Sequence, residues 1–226
     1  METILFHGSN KIIDQPSKAG GKIHNDYGQG FYCTPDLELA REWACSEQPS
    51  AFVNHYSFEP SFDLKVCDLT GPDYHILNWL AVLMNNRVFE TTLEFPAAIK
   101  EYILQEYMPD LTGYDIIRGY RADDSYFNYA NLFLIGGLNI QQLSQAMRLG
   151  NLGEQIFLKS DRAFEALVFL SAETVEKEIY LPRRRKRETQ AREDYLKLKQ
   201  GPRAFEGIFA LDLYRNKIKN TDARLR

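Results

Sequence analysis

Residues 26–34 read Asp26-Tyr27-Gly28-Gln29-Gly30-Phe31-Tyr32-Cys33-Thr34. Two closely spaced glycines free the backbone just ahead of an aromatic pair, and the tetrad Phe31–Thr34 is β-favouring. Thr34-Pro35 then reads as a helix opening, with Thr as N-cap and Pro at the first helical position. That helix runs to about Glu47, with Leu37, Ala40, Trp43 and Ala44 on one face. Upstream, residues 2–7 (ETILFH) form a short apolar run ending in the turn Gly8-Ser9-Asn10, a first strand.

Downstream, residues 51–58 and 63–69 read as strands about the Glu59-Pro60 turn, and helices follow near 73–87 and 96–108. Tyr114–Ile117 is a strand. A helix from Ser125 stops at Gly136-Gly137, and a second covers 139–149 with Asn139 as cap. Residues 154–159 are a strand, Ser160-Asp161 caps a short helical turn, and Ala166–Leu170 is again β-like. Strands and helices come in runs rather than in strict alternation, which predicts α+β over a doubly wound sheet. Neither GxGxxG after a strand nor GxxxxGK[ST] occurs, so no Rossmann or P-loop cradle is expected.

Of 226 residues, 44% are apolar and 26% charged, proportions of a globular chain with a real core. Disordered, collagen-like and disulfide-scaffold classes are excluded. No apolar stretch approaches the ~18 residues of a spanning helix. METILFHGSN carries no basic leader, so the expected setting is cytoplasmic with no membrane partner. Charge is uneven: residues 1–182 hold 13 Lys+Arg against 25 Asp+Glu, and residues 183–226 hold 14 against 6. The expected organisation is therefore a domain over 1–182 and a basic, largely helical extension over 183–226. The extension meets a polyanionic partner, docks on the acidic body, packs on the core as one more amphipathic helix, or is simply a solvated basic helix.

Cys33, Cys45 and Cys67 are odd in number and widely spaced, and His7, His24, His55 and His75 form no HExxH. No metal site is expected, and the thiols read as buried rather than catalytic. His7 differs from the other histidines because it precedes Gly8-Ser9 at a strand end. It is either a satisfied structural histidine or a ligand contact. Tyr32, beside Gly30, either offers a flat face to a planar ring or simply feeds the core. Alternation on one strand puts Glu154 and Gln155 on opposite faces, so at most one of them enters any shared site.

The order Phe6-His7-Gly8-Ser9, then Asp26 to Thr34, then Glu154-Gln155-Ile156-Phe157 resembles the ADP-ribosyltransferase fold, in its His-Tyr branch. More narrowly it resembles the DUF3990 group of small bacterial proteins. Further matching stretches are Ala40 to Ala44, Trp79-Leu80, Asn86-Arg87, Tyr114 to Gly119, Ala122-Asp123-Asp124 and Leu167 to Phe169. The resemblance spans roughly residues 3–172. It implies a split antiparallel β-core, surrounded by helices, that grips NAD+ as substrate without a metal.

Residue by residue, the resemblance gives His7 a ribose contact, Gly8 a backbone contact to the nicotinamide amide, and Tyr32 a stacking role. Gln155 falls where such transferases often carry Glu, with Glu154 one place earlier; Ser9 and Thr34 are secondary dinucleotide contacts. Gln lacks the carboxylate that would take a proton or steady positive charge. The implied function is transfer of ADP-ribose to a macromolecular acceptor, protein or nucleic acid, as a bacterial toxin with an antitoxin partner or in phage defence. The alternatives are an NAD+ glycohydrolase and a degenerate protein that only binds nucleotide or partner.

Overall fold

Strand β1 (Thr3–Ser9) pairs antiparallel with β3 (Phe52–Phe58), and β3 pairs antiparallel with β7 (Leu167–Thr174), giving a three-stranded sheet in the order β1-β3-β7. A second sheet runs β2 (Phe31–Cys33), β6 (Glu154–Leu158), β5 (Ile116–Tyr120), β4 (Val66–Asp68). This computed structural model describes residues 2–61, 63–89, 94–122, 124–149, 153–200 and 206–225. The fold is α+β. Pairs β2–β6 and β5–β6 are antiparallel, whereas β4 and β5 run parallel, joined by a crossover through helices. The two sheets meet where Phe6 and Thr34 exchange backbone hydrogen bonds of 2.8 and 2.9 Å.

Two local readings change. Strand β1 does not stop at His7, because His7, Gly8 and Ser9 continue the ladder opposite Asn54, Val53 and Phe52. Helix α1 (Leu37–Ala44) is capped by Asp36, whose side chain accepts from the Leu39 amide at 3.0 Å, rather than by Thr34. Thr34 has its backbone committed to Phe6 across the sheets, so the helix opens two residues later.

Nine successive residues of α2 (Ile76–Asn86), Ile76 to Met84, are buried, as expected of a helix apolar on every side. It packs with α3 (Glu94–Tyr107) and α5 (Ile140–Ala146), and α4 (Asp124–Leu134) lies against α5. At the centre Trp79 donates its indole N–H to Tyr27 Oη at 3.0 Å, and Tyr27 donates onward to the Tyr120 carbonyl at 2.6 Å. Helix α4 ends as read: Gly136 has φ +77°, and the Gly137 amide donates to the Leu132 carbonyl at 2.7 Å. Asn139 caps α5 through a reciprocal bond with Gln142. The short α6 (Asp161–Glu165) is capped by Ser160.

The chain beyond residue 182 contributes to the same core. Helix α7 (Lys177–Lys199) runs through Pro182, so the boundary read at 182/183 lies inside one helix. Ala191 and Tyr195 of α7, Ala210 and Leu213 of α8 (Ala210–Arg215), and Ile218 and Leu225 sit in the cluster that holds Trp79 and Phe133. The basic run faces the acidic side of α1 and the segment just after it. Arg183 meets Glu38 at 2.8 Å, Arg185 meets Glu47 at 3.6 Å, and Arg187 grips Glu42 with two bonds of 2.7 Å. Much of the charge split along the sequence is thus closed within the fold. The Gly201-Pro202 turn and Asp123 lie outside the described residues.

Candidate active site at the seam of the sheets

Strand β1 brings His7 and Gly8, β2 brings Tyr32, and β6 brings Gln155 to one cavity of about 240 Å³. The resemblance put these four together, and in the fold all four line this one cavity. Gln155 is 6% exposed, and its Oε1 is buried without a hydrogen-bond donor among the described residues. A buried, unsatisfied amide oxygen costs about 1–3 kcal/mol, so a partner at this spot is energetically favoured. Glu154 takes the other face of β6, where Arg118 Nε donates to it at 2.5 Å. It lines a neighbouring recess with Thr34, Asp36 and Arg148.

The His7 ring lies against Phe31 at 4.4 Å between centroids, and its Nδ1 is 2.6 Å from the Tyr32 carbonyl. A carbonyl only accepts, so Nδ1 carries the proton and donates. Burial holds the imidazole below its ordinary range, with that hydrogen bond opposing. His7 is therefore neutral near pH 7, and Nε2 is the nitrogen left for a ligand.

Tyr32 is fixed at its far end. Its hydroxyl donates to the Gly28 carbonyl at 2.6 Å and accepts from the Tyr27 amide at 3.1 Å, while its ring packs on Phe157 at 4.8 Å. Burial raises its phenol, so it stays protonated and acts as a wall rather than a base. The glycines around it answer first to packing. A Cβ on Gly30 would lie 2.4 Å from the Phe157 ring, and one on Gly8 would lie 2.2 Å from the Ala40 carbonyl oxygen of α1. Gly8 thus lets α1 approach β1 closely enough for Trp43 to reach the cavity.

Ser9 and Thr34 are placed elsewhere. Ser9 Oγ accepts from the Lys11 amide at 3.2 Å and turns the chain out of β1. Thr34, 1% exposed, accepts from the Asp36 amide at 3.2 Å and lines the Glu154 recess rather than the His7 cavity.

Sequence order did not reveal the cationic wall. Arg87, Arg121 and Arg184 all line the cavity, together with Trp43 and Asp26. Arg121 lies over the Trp43 ring at 4.4 Å, and the Trp43 indole N–H is buried without an acceptor among the described residues. Asp26, 2% exposed, accepts from the Ala122 amide at 2.9 Å and sits 3.7 Å from Arg87. Arg184 donates to Glu188 at 2.9 Å and to the Cys45 carbonyl at 2.5 Å. These arginines come from three distant segments, so no local motif marks them.

All three cysteines are buried and unbridged, and burial raises their thiols, which disfavours a nucleophilic role. Among the described residues no three His, Cys, Asp or Glu side chains are grouped as for a metal ion, and no helix is long and apolar enough to cross a membrane. No curated protein and no solved structure matches the chain. Residues 3–169, from β1 into β7, match the family described as DUF3990, protein of unknown function, and the chain belongs to that family.

Proposed function

We propose that the cavity at the sheet seam binds NAD+ and that the protein transfers ADP-ribose from it to a macromolecular acceptor. The observation that carries this reading is the convergence of His7, Tyr32 and the unsatisfied Gln155 Oε1 in one small cavity. The split into two sheets bridged at Phe6–Thr34 supports it further. At about 240 Å³ the cavity is below the roughly 300–1,000 Å³ of a whole small-molecule site, so it suits one end of a dinucleotide.

In this reading Tyr32 walls the nicotinamide ring, His7 Nε2 accepts from a ribose hydroxyl, and Gln155 Oε1 accepts from another. The bond between ribose C1′ and the ring nitrogen breaks, and neutral nicotinamide leaves with the electron pair. The acceptor's nucleophile then bonds to C1′, and its proton goes to solvent. Gln155 takes no proton, so rate enhancement comes from orientation and water exclusion rather than from general-base catalysis. A second reading, nucleotide binding without transfer, draws on the same glutamine.

The test is incubation of the purified protein with NAD+ labelled on adenine, with cell lysate, followed by protease and nuclease digestion. Label carried by protein or nucleic acid together with free nicotinamide supports transfer. Nicotinamide without labelled acceptor means hydrolysis, and neither product leaves binding alone.

A further inference from the structure

We infer that Arg121, Trp43 and Arg184 form a phosphate subsite in the His7 cavity, and that α7, which lies beyond the family match, completes it. This deepens the nucleotide reading and rests on it. The Trp43 indole N–H is a buried donor in need of an acceptor among the described residues, and the Arg121 guanidinium lies over the same ring at 4.4 Å. Arginine is a planar, always-charged donor suited to phosphate oxygens, and beside an indole N–H that needs an acceptor it makes one cationic, donor-rich corner.

Arg184 enters from α7 with two fixed bonds, to Glu188 and to the Cys45 carbonyl, which hold its guanidinium at the cavity wall. Among the described residues the lining carries one carboxylate, Asp26, engaged by the Ala122 amide and adjacent to Arg87. Glu188 offsets part of the Arg184 charge. The opposite need is met by Gln155, whose buried Oε1 calls for a donor such as a sugar hydroxyl. An indole N–H in need of an acceptor beside arginines, and an amide oxygen in need of a donor in the same cavity, fit a sugar phosphate, and of such ligands a nucleotide pyrophosphate.

Calorimetric titration with ADP-ribose, inorganic pyrophosphate and nicotinamide tests this in wild type, Arg121→Gln and Arg184→Gln. Losing one charge-assisted contact weakens binding roughly 10- to 100-fold, so each variant should lose that much affinity for ADP-ribose and pyrophosphate. Nicotinamide affinity should hold, and Arg184→Lys and Arg121→Lys should retain part of the phosphate affinity. Melting temperatures check folding; where Arg184→Gln melts early, Arg184→Lys and Arg121→Gln give the answer. Unchanged ADP-ribose affinity in Arg121→Gln, or an equal loss for nicotinamide, overturns the subsite even where wild type binds NAD+. Pyrophosphate binding lost in the Gln variants, with no NAD+ or ADP-ribose binding by wild type, sinks the NAD+ reading and leaves the subsite standing.

Discussion

Arg187→Met should be among the most damaging single substitutions outside the hydrophobic clusters. Glu42 sits on α1 with its side chain 6% exposed, and Arg187 on α7 meets it through Nε and Nη2, both at 2.7 Å. Removing one member of a buried pair strands the other charge, which costs about 3–5 kcal/mol. Arg187 itself is 25% exposed, so water reaches part of the pair and the lower end of that range applies. For a chain of this size 1 kcal/mol moves Tm by about 2–4 °C, so a fall of roughly 6–12 °C is expected. Urea unfolding and calorimetry measure it. The double variant Glu42→Met/Arg187→Met removes the stranded charge and should recover most of the loss. A single-variant loss below about 1 kcal/mol, or a double variant no better than the single, would refute the argument that α7 is clamped to α1 by this pair.

Gly8→Ala should destabilise by at least the ~1–3 kcal/mol of an overpacked site, because its Cβ would lie 2.2 Å from one helix carbonyl oxygen and 2.6 Å from the Ala44 nitrogen; wild-type melting would refute this. Gln155→Ala should suppress nicotinamide release with little loss of stability, whereas Glu154→Ala breaks only a half-exposed pair with Arg118, worth about 0–1 kcal/mol, and should leave release intact. The His7 pKa is lowered on folding from an ordinary 6.5, so the unfolded chain binds more protons below that pH. The His7 contribution is therefore full above pH 6.5 and lost as pH falls towards the folded pKa, and His7→Ala should flatten the decline in stability seen on acidification. A chain ending at Pro182 loses Tyr195, Leu213 and Ile218 from the core and should be insoluble; a soluble, cooperatively folding truncation would contradict that packing.

Period and capping made most elements legible: the apolar run at Thr3–Phe6, the Asn139 cap and the Gly136-Gly137 stop all lie where those signals put them. Local cues misplaced the start of α1, because the backbone of Thr34 is spoken for by Phe6, a partner 28 positions away that no propensity reports. Strand alternation correctly separated Glu154 from Gln155, since it follows from the pleat alone. The cationic wall was invisible for the opposite reason: Arg87, Arg121 and Arg184 become neighbours only through tertiary packing. Arg183–Arg187 looks uniformly basic, yet Arg183 and Arg187 engage α1 while Arg184 turns to the cavity.

Whether the seam cavity is an NAD+ site is read from titration of NAD+ into wild type and His7→Ala, followed by calorimetry and by melting temperature. Saturable binding by the wild type at millimolar affinity or better is expected, with a rise in Tm that grows with ligand by mass action, both absent in His7→Ala. No heat and no shift in the wild type at several millimolar NAD+, or equal binding by His7→Ala, would contradict it.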